Sequence, residues 1–207
     1  MNQFINLFGN RIKSHWETDS EDQRQKLLSD ILQYANSNVE SFKQDMEEIQ
    51  FDNELSPLPI VLEALSKDTD TWGQFYVDTL GKIFEKAKQA DKPQEILNYL
   101  MEFAYIEKDE KPFVQRIVDR LYKETNSDNL STQLAAIWTL PAYMKNPVVR
   151  NKPSIIESVQ QKLQDKNWKV RYIAFKSLGF ENMLPNGSKL SIGDQFRKLV
   201  FGAPPTI

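Results

Sequence analysis

Apolar residues recur at steps of three and four along most of the chain, and no stretch alternates with a period of two over a useful length. At 3.6 residues per turn such steps fall on one face of a helix, so the pattern predicts an all-α fold. Phe4, Phe8 and Ile12, with Ile5 alongside, make the first amphipathic segment. After Ser20-Glu-Asp-Gln23, which has the form of a capping box, apolar positions continue at Leu28, Leu32, Ala35, Val39, Phe42, Met46 and Ile49. Two readings fit residues 20–50: one long helix with a coiled-coil seam, or two helices broken at the second capping box, Ser37-Asn-Val-Glu40. Ser56-Pro57 opens a short helix through Leu58, Val61, Leu62 and Leu65. Thr69 or Thr71 opens the next, with Trp72, Phe75, Tyr76, Leu80, Ile83, Phe84 and Ala87 on a wide face. Asp91-Lys-Pro93 introduces a helix expected to bury Ile96, Leu97, Leu100, Phe103 and Ala104. Lys111-Pro112 introduces one expected to bury Phe113, Val114, Ile117 and Leu121.

The clearest punctuation lies between Ser154 and Gly179. Ser154 to Gln164 is amphipathic through Ile155, Ile156, Val159 and Leu163, and Asp165-Lys-Asn167 makes a turn with Asn167 as helix N-cap. Val170, Ala174 and Leu178 then fall four apart on one face, and Gly179 is placed to close the helix in a left-handed cap. This pair resembles one HEAT repeat, in which D-x-x-x-x-V-R-x-x-A-x-x-x-L spans the turn and the second helix. The resemblance implies antiparallel helix pairs stacked as a short HEAT-like α-solenoid. It also implies that Asp165 and Arg171 form a structural, hydrogen-bonded ladder between neighbouring units. A slide of 38 residues lays Asn129, Ala136 and Leu140 on Asn167, Ala174 and Leu178, a spacing in the range of such units. The earlier copy departs at Thr132, Gln133 and Pro141, which stand against Val170, Arg171 and Gly179. Met183-Leu-Pro-Asn-Gly187 reads as a turn and Ile192 to Phe201 as a last short helix. The expected organisation is a single helical domain over residues 1–201 and a flexible tail over 202–207.

Composition narrows the chemistry. With no cysteine there are no disulfides, thiolate nucleophiles or cysteine-ligated metals, which is compatible with a reducing cytoplasm. His15 is the single histidine, read as a surface residue near a helix end. No glycine-rich phosphate loop is present. No catalytic residue, metal ligand set or cofactor is therefore expected. The first 13 residues lack the features of a secretory signal, and no apolar run is long enough to span a bilayer. That first segment reads as a terminal helix packed on its neighbour rather than an interfacial membrane helix. The net charge of −3 hides a gradient: residues 1–66 carry −7, residues 67–144 carry −3 and residues 145–207 carry +7.

With Val170, Ala174 and Leu178 inward, Lys169, Tyr172 and Lys176 share the opposite side, and the 38-residue slide places Trp138 there one unit earlier. Aromatic anchors ringed by charge are typical of interface hot spots, so Trp138, Lys169, Tyr172 and Lys176 are the candidate partner-binding residues. The competing reading makes Trp138 part of the core. The function expected is non-catalytic binding of a macromolecule, a protein first, with a regulatory or inhibitory role as one form of it. The alternative is a nucleic-acid partner held by the basic C-terminal third. Asn167 to Ala174 is also similar to a segment of the DNA-alkylation glycosylases, which use HEAT-like repeats. Trp72 and Asp78 do not keep the spacing of that family's tryptophan–aspartate pair, so no catalysis is carried to Asp78.

Overall fold

The computed structural model describes residues 2–17, 20–48 and 56–204, and every regular element among them is helical. The side chains of His15 and Ile49, the connector at 51–55 and the last residues of the tail lie outside the described residues. The chain divides into two compact units, Met1–Tyr76 and Val77–Ile207, with the boundary inside one helix, Thr69–Gln89.

The first unit holds α1 (Gln3–Glu17), α2 (Glu21–Ser37), α3 (Val39–Glu47), α4 (Leu58–Leu65) and the start of α5 (Thr69–Gln89). The long segment is thus two helices. Asn38, at φ −140° and ψ 44°, breaks it, and its side chain donates to the Tyr34 carbonyl. Ser20 takes the extended backbone of an N-cap, but its hydroxyl makes no capping bond. Phe4, Phe8 and Ile12 are buried, their helix packed on α2 and α3, as expected of a terminal helix seated on its neighbours. Phe42 sits at the centre of an aromatic cluster, 5.7 Å from Phe4 and 5.2 Å from Trp72. Asp45 of α3 accepts from the Gln3 and Phe4 amides at 3.0 Å each. Its buried carboxylate meets two of the orphan donors at the start of α1, where the helix dipole favours a negative charge.

The second unit continues α5 and adds α6 (Pro93–Leu97), α7 (Pro112–Glu124), α8 (Leu130–Thr139), α9 (Lys152–Gln161), α10 (Trp168–Phe180) and α11 (Ile192–Phe201). Short 3-10 segments extend α6, α8 and α9, at Asn98–Ile106, Leu140–Lys145 and Lys162–Gln164. The first of these changes the period from 3.6 to 3.0, which turns Ala104 out to solvent and Ile106 inward. Helices α7 and α9 pack on α8 and α10, and α8 and α10 pack side by side.

The 38-residue repeat persists in the asparagine caps that open α8 and α10. Asn129 and Asn167 both cap, their side-chain oxygens accepting from Thr132 N and Lys169 N at 3.0 Å. Two residues before each cap, Ser127 Oγ and Asp165 Oδ1 accept from the cap residue's own N–H. Thr132 and Val170 are equivalent and both fully buried, but the Thr132 hydroxyl has no hydrogen-bond partner. Thr132→Val should therefore stabilise the protein by about 1 kcal/mol, since it removes a buried unsatisfied group at nearly constant volume. A melt should show the midpoint rising by roughly 2–4 °C. A lower midpoint would mean that the hydroxyl is satisfied.

Candidate functional site

The second unit carries two grooves that between them take in most of the candidate residues. One, of about 300 Å³, is lined by Leu100, Met101, Ala104, Glu107, Trp138, Thr139, Ala142, Tyr143, Ser177, Phe180 and Glu181. Its walls come from three places in the chain and are tied by buried polar bonds. The Tyr143 hydroxyl donates to the Phe103 carbonyl at 3.0 Å, and Asn146 Nδ2 donates to the Glu107 and Asp109 carbonyls at 2.8 Å each. These bonds bind the 3-10 segment after α6 to the one after α8. Trp138 is half-buried at the bottom, its ring centroid 6.4 Å from that of Phe180, which is 79% exposed. Met101, 59% exposed, lines the same groove.

Two carboxylates, Glu107 and Glu181, belong to the lining of this groove. Burial pushes Glu107 above the usual carboxylate range, which Lys108 and Lys145 oppose in part and Glu181 reinforces. Glu181 pairs with Lys145 at 2.8 Å, and that hydrogen bond raises the lysine. Apolar and acidic groups in one lining suit an apolar side chain beside a cation.

The second groove, of about 620 Å³, runs between α10 and α11 and is lined by Tyr172, Phe175, Lys176, Ser188, Lys189, Leu190, Ile192, Gln195, Lys198 and Leu199. Tyr172 and Lys176 belong here, Trp138 belongs to the first groove, and Lys169 lines neither. The four candidates are therefore not brought to one surface. Tyr172 also corrects the assignment of faces, because it is only 3% exposed, its ring 6.4 Å from Trp168. Val170, Ile173, Ala174, Ser177 and Leu178 are buried with it. α10 has neighbours on more than one side, so its buried arc is wider than a single stripe.

The ladder residues take a different arrangement from the expected one. Arg171 Nη1 donates to the backbone carbonyl of Asp165, at 2.6 Å, rather than to its carboxylate. The guanidinium also forms a bidentate pair with Asp194 of α11, Nε to Oδ2 at 2.8 Å and Nη2 to Oδ1 at 2.5 Å. Asp165 spends its side chain on the Asn167 amide. One arginine thus fixes the turn before α10 and anchors the following helix.

Residues 155–180, from within α9 to the end of α10, match the HEAT repeat family. These residues are thus HEAT-like. No curated protein and no solved structure matches the chain. The HEAT repeat contributes Ser177 and Phe180 to the first groove and Tyr172, Phe175 and Lys176 to the second. The preceding pair, α7 with α8, repeats its capping atoms and supplies Trp138.

Other features flagged in the sequence fall elsewhere. Trp72 is buried in the first unit, its indole N–H donating to Asn36 Oδ1 at 2.7 Å, so its face is not open to stack on a base. Asp78 is exposed on the second unit. Among the described residues no helix is long and apolar enough to cross a membrane. Sequence reasoning missed Met101 and Phe180. Phe180 directly follows Gly179, which was expected to end the helix, and only the extra residue of helix brings the phenylalanine over Trp138.

Proposed function

We propose that the chain is a non-catalytic, protein-binding helical-repeat module that acts in the cytoplasm, with the Trp138 groove as a principal contact. The observation that carries this reading is a half-buried Trp138 sharing one groove with Phe180 and Met101, both of which are left in water. Covering large apolar side chains recovers roughly 25 cal/mol per Å² of apolar surface, the usual source of association energy. Glu107 and Glu181 select a partner segment that sets a basic residue beside its apolar anchor. A nucleic-acid partner has weaker support, since carboxylates line this groove and Trp72 is buried.

The test uses a partner captured from host lysate after nuclease digestion, then purified. Met101→Ala with Phe180→Ala, both at exposed positions, should leave the melt unchanged and weaken binding by about 2 kcal/mol, roughly thirtyfold. Unchanged affinity removes the groove from the interface. Tight binding of duplex DNA by the wild type at physiological salt would overturn the protein-binding reading altogether.

A further inference from the structure

Helices α7, α9 and α11 begin at Pro112, Lys152 and Ile192, a constant step of 40 residues. α11 thus stands where the first helix of a third pair would stand. In the two earlier pairs a second helix, α8 or α10, packs on the first. α11 is seated the other way round. Its one buried residue is Asp194, held by Arg171, while Ile192, Phe196, Leu199 and Val200 are 85%, 65%, 81% and 55% exposed. These four lie at steps of four, three and one, within an arc of about 100° on the helix and opposite Asp194. Among the described residues no helix covers them.

Charge and shape indicate what does. Lys176, Lys189, Arg197 and Lys198 surround the stripe, and Asp194, already neutralised by Arg171, is the one acidic residue between 182 and 207. Beside the ridge of α11 runs the 620 Å³ groove, with Tyr172, Phe175 and Leu190 in its lining. A ridge with an adjoining apolar groove and a basic border is filled by a rod with an apolar stripe and acidic flanks. A flat surface would touch the ridge and leave the groove empty.

We propose that α11 and its groove seat an amphipathic, acid-flanked helix of another protein, in the position that α8 and α10 hold over α7 and α9. The proposal rests on the protein-binding reading above but concerns a different surface. The probe is a fluorescein-labelled synthetic helix of about 18 residues, five turns, with leucines at steps of three and four and glutamates on both flanks. Anisotropy should show saturable binding that falls about tenfold or more when the flanks are lysine. Phe196→Asp with Leu199→Asp, at exposed positions, should abolish it with no change in helicity by circular dichroism. Met101→Ala with Phe180→Ala should leave it within about twofold, within the range of near-neutral interface substitutions.

No binding of the probe, or equal binding of the two peptides, overturns the proposal. So does sedimentation of the wild type as a dimer that the α11 variant converts to monomer, which would make a second copy the occupant. Flotation with phosphatidylglycerol vesicles, lost in the α11 variant, would make it a lipid surface. If the α11 variant still binds the probe and the Met101/Phe180 variant does not, this inference fails while protein binding at the Trp138 groove stands. If neither variant matters and duplex DNA binds instead, both readings fail.

Discussion

Ala174→Asp is expected to be severely destabilising, on the order of 3 kcal/mol or more, because it buries an unpaired charge between packed helices. Ala174 is completely buried, as are Val170 and Leu178 one turn to either side. α10 packs along α8, and a side chain as small as alanine leaves no room for a larger, charged one at a fully buried position. An aspartate there must either lose its hydration without a partner or push the two helices apart. For a chain of this size the melting midpoint should fall by roughly 6–12 °C. Lys176, two residues on and exposed, provides the contrast. Lys176→Glu should cost about 0.5 kcal/mol or less, since surface positions without special contacts tolerate exchange. Equal losses in the two melts would mean that the inward face of α10 has been assigned wrongly.

That face could be read in the sequence because Val170, Ala174 and Leu178 keep a strict spacing of four after a capping asparagine. The same spacing one unit earlier located α8, even with threonine in place of valine at 132. What failed was the inference from buried to exposed. Opposite Val170, Ala174 and Leu178 a surface was expected, yet Tyr172 is buried, because a helix with neighbours on two sides buries more than half its circumference. Periodicity reports the strongest stripe and says little about how wide the burial is.

The end of α10 illustrates a second limit. Gly179 has the residue type of a left-handed cap, but the helix continues through it to Phe180. Asn182 adopts the left-handed conformation instead, at φ 59°. The Asn182 amide then donates to the Gly179 carbonyl and the Met183 amide to Leu178, the paired bonds of a Schellman end. Gly179 is small for another reason. A Cβ there would lie 3.2 Å from Leu184 Cδ1, so the glycine lets the returning chain pack on the helix. Asparagine and glycine both tolerate positive φ, and the sequence offers no local signal to choose between two such residues three apart. The choice decides whether Phe180 reaches Trp138, and with it the form of the first groove.

The extent of α11 was legible to the residue, Ile192 to Phe201, but its orientation was not. An apolar stripe on a helix normally marks the side that packs. Here a long-range ion pair reverses it: Arg171, which the repeat pattern assigned with Asp165 to a ladder between neighbouring units, reaches forward to Asp194. Nothing local to residues 192–201 marks Asp194 as the buried position.

Arg171→Met should therefore release α11 while the body of the second unit stays folded. Asp194 is 2% exposed, and apart from Arg171 its cationic partner is Arg197 at 3.3 Å, on the same helix. Leaving that carboxylate without its bidentate partner costs about 2–3 kcal/mol, as expected for a buried acceptor of charge-assisted bonds. Amide exchange along residues 195–201 and tryptic cleavage after Arg197 and Lys198 should both accelerate at neutral pH, with exchange in α10 little altered. The wild type should reach the same state only in acid. Hydrogen bonding from Arg171, more than any other influence, holds Asp194 below the usual carboxylate range, with Ser191 and the nearby charges of Arg171 and Arg197 adding to it against the opposing cost of burial. A lowered folded-state pKa means stability that is fully present above the unfolded value of about 3.9 and is lost as pH falls through the folded value. Docking of α11 should thus be flat from pH 5 to 8, by about that reckoning, and fail only below roughly pH 4. Replacing both partners, Arg171→Met with Asp194→Leu, should restore much of the docking, because no charge is then left buried alone. If the single variant exchanges and cleaves like wild type, the ion pair is not what holds α11, and the helix is seated by its contacts around the α10–α11 groove.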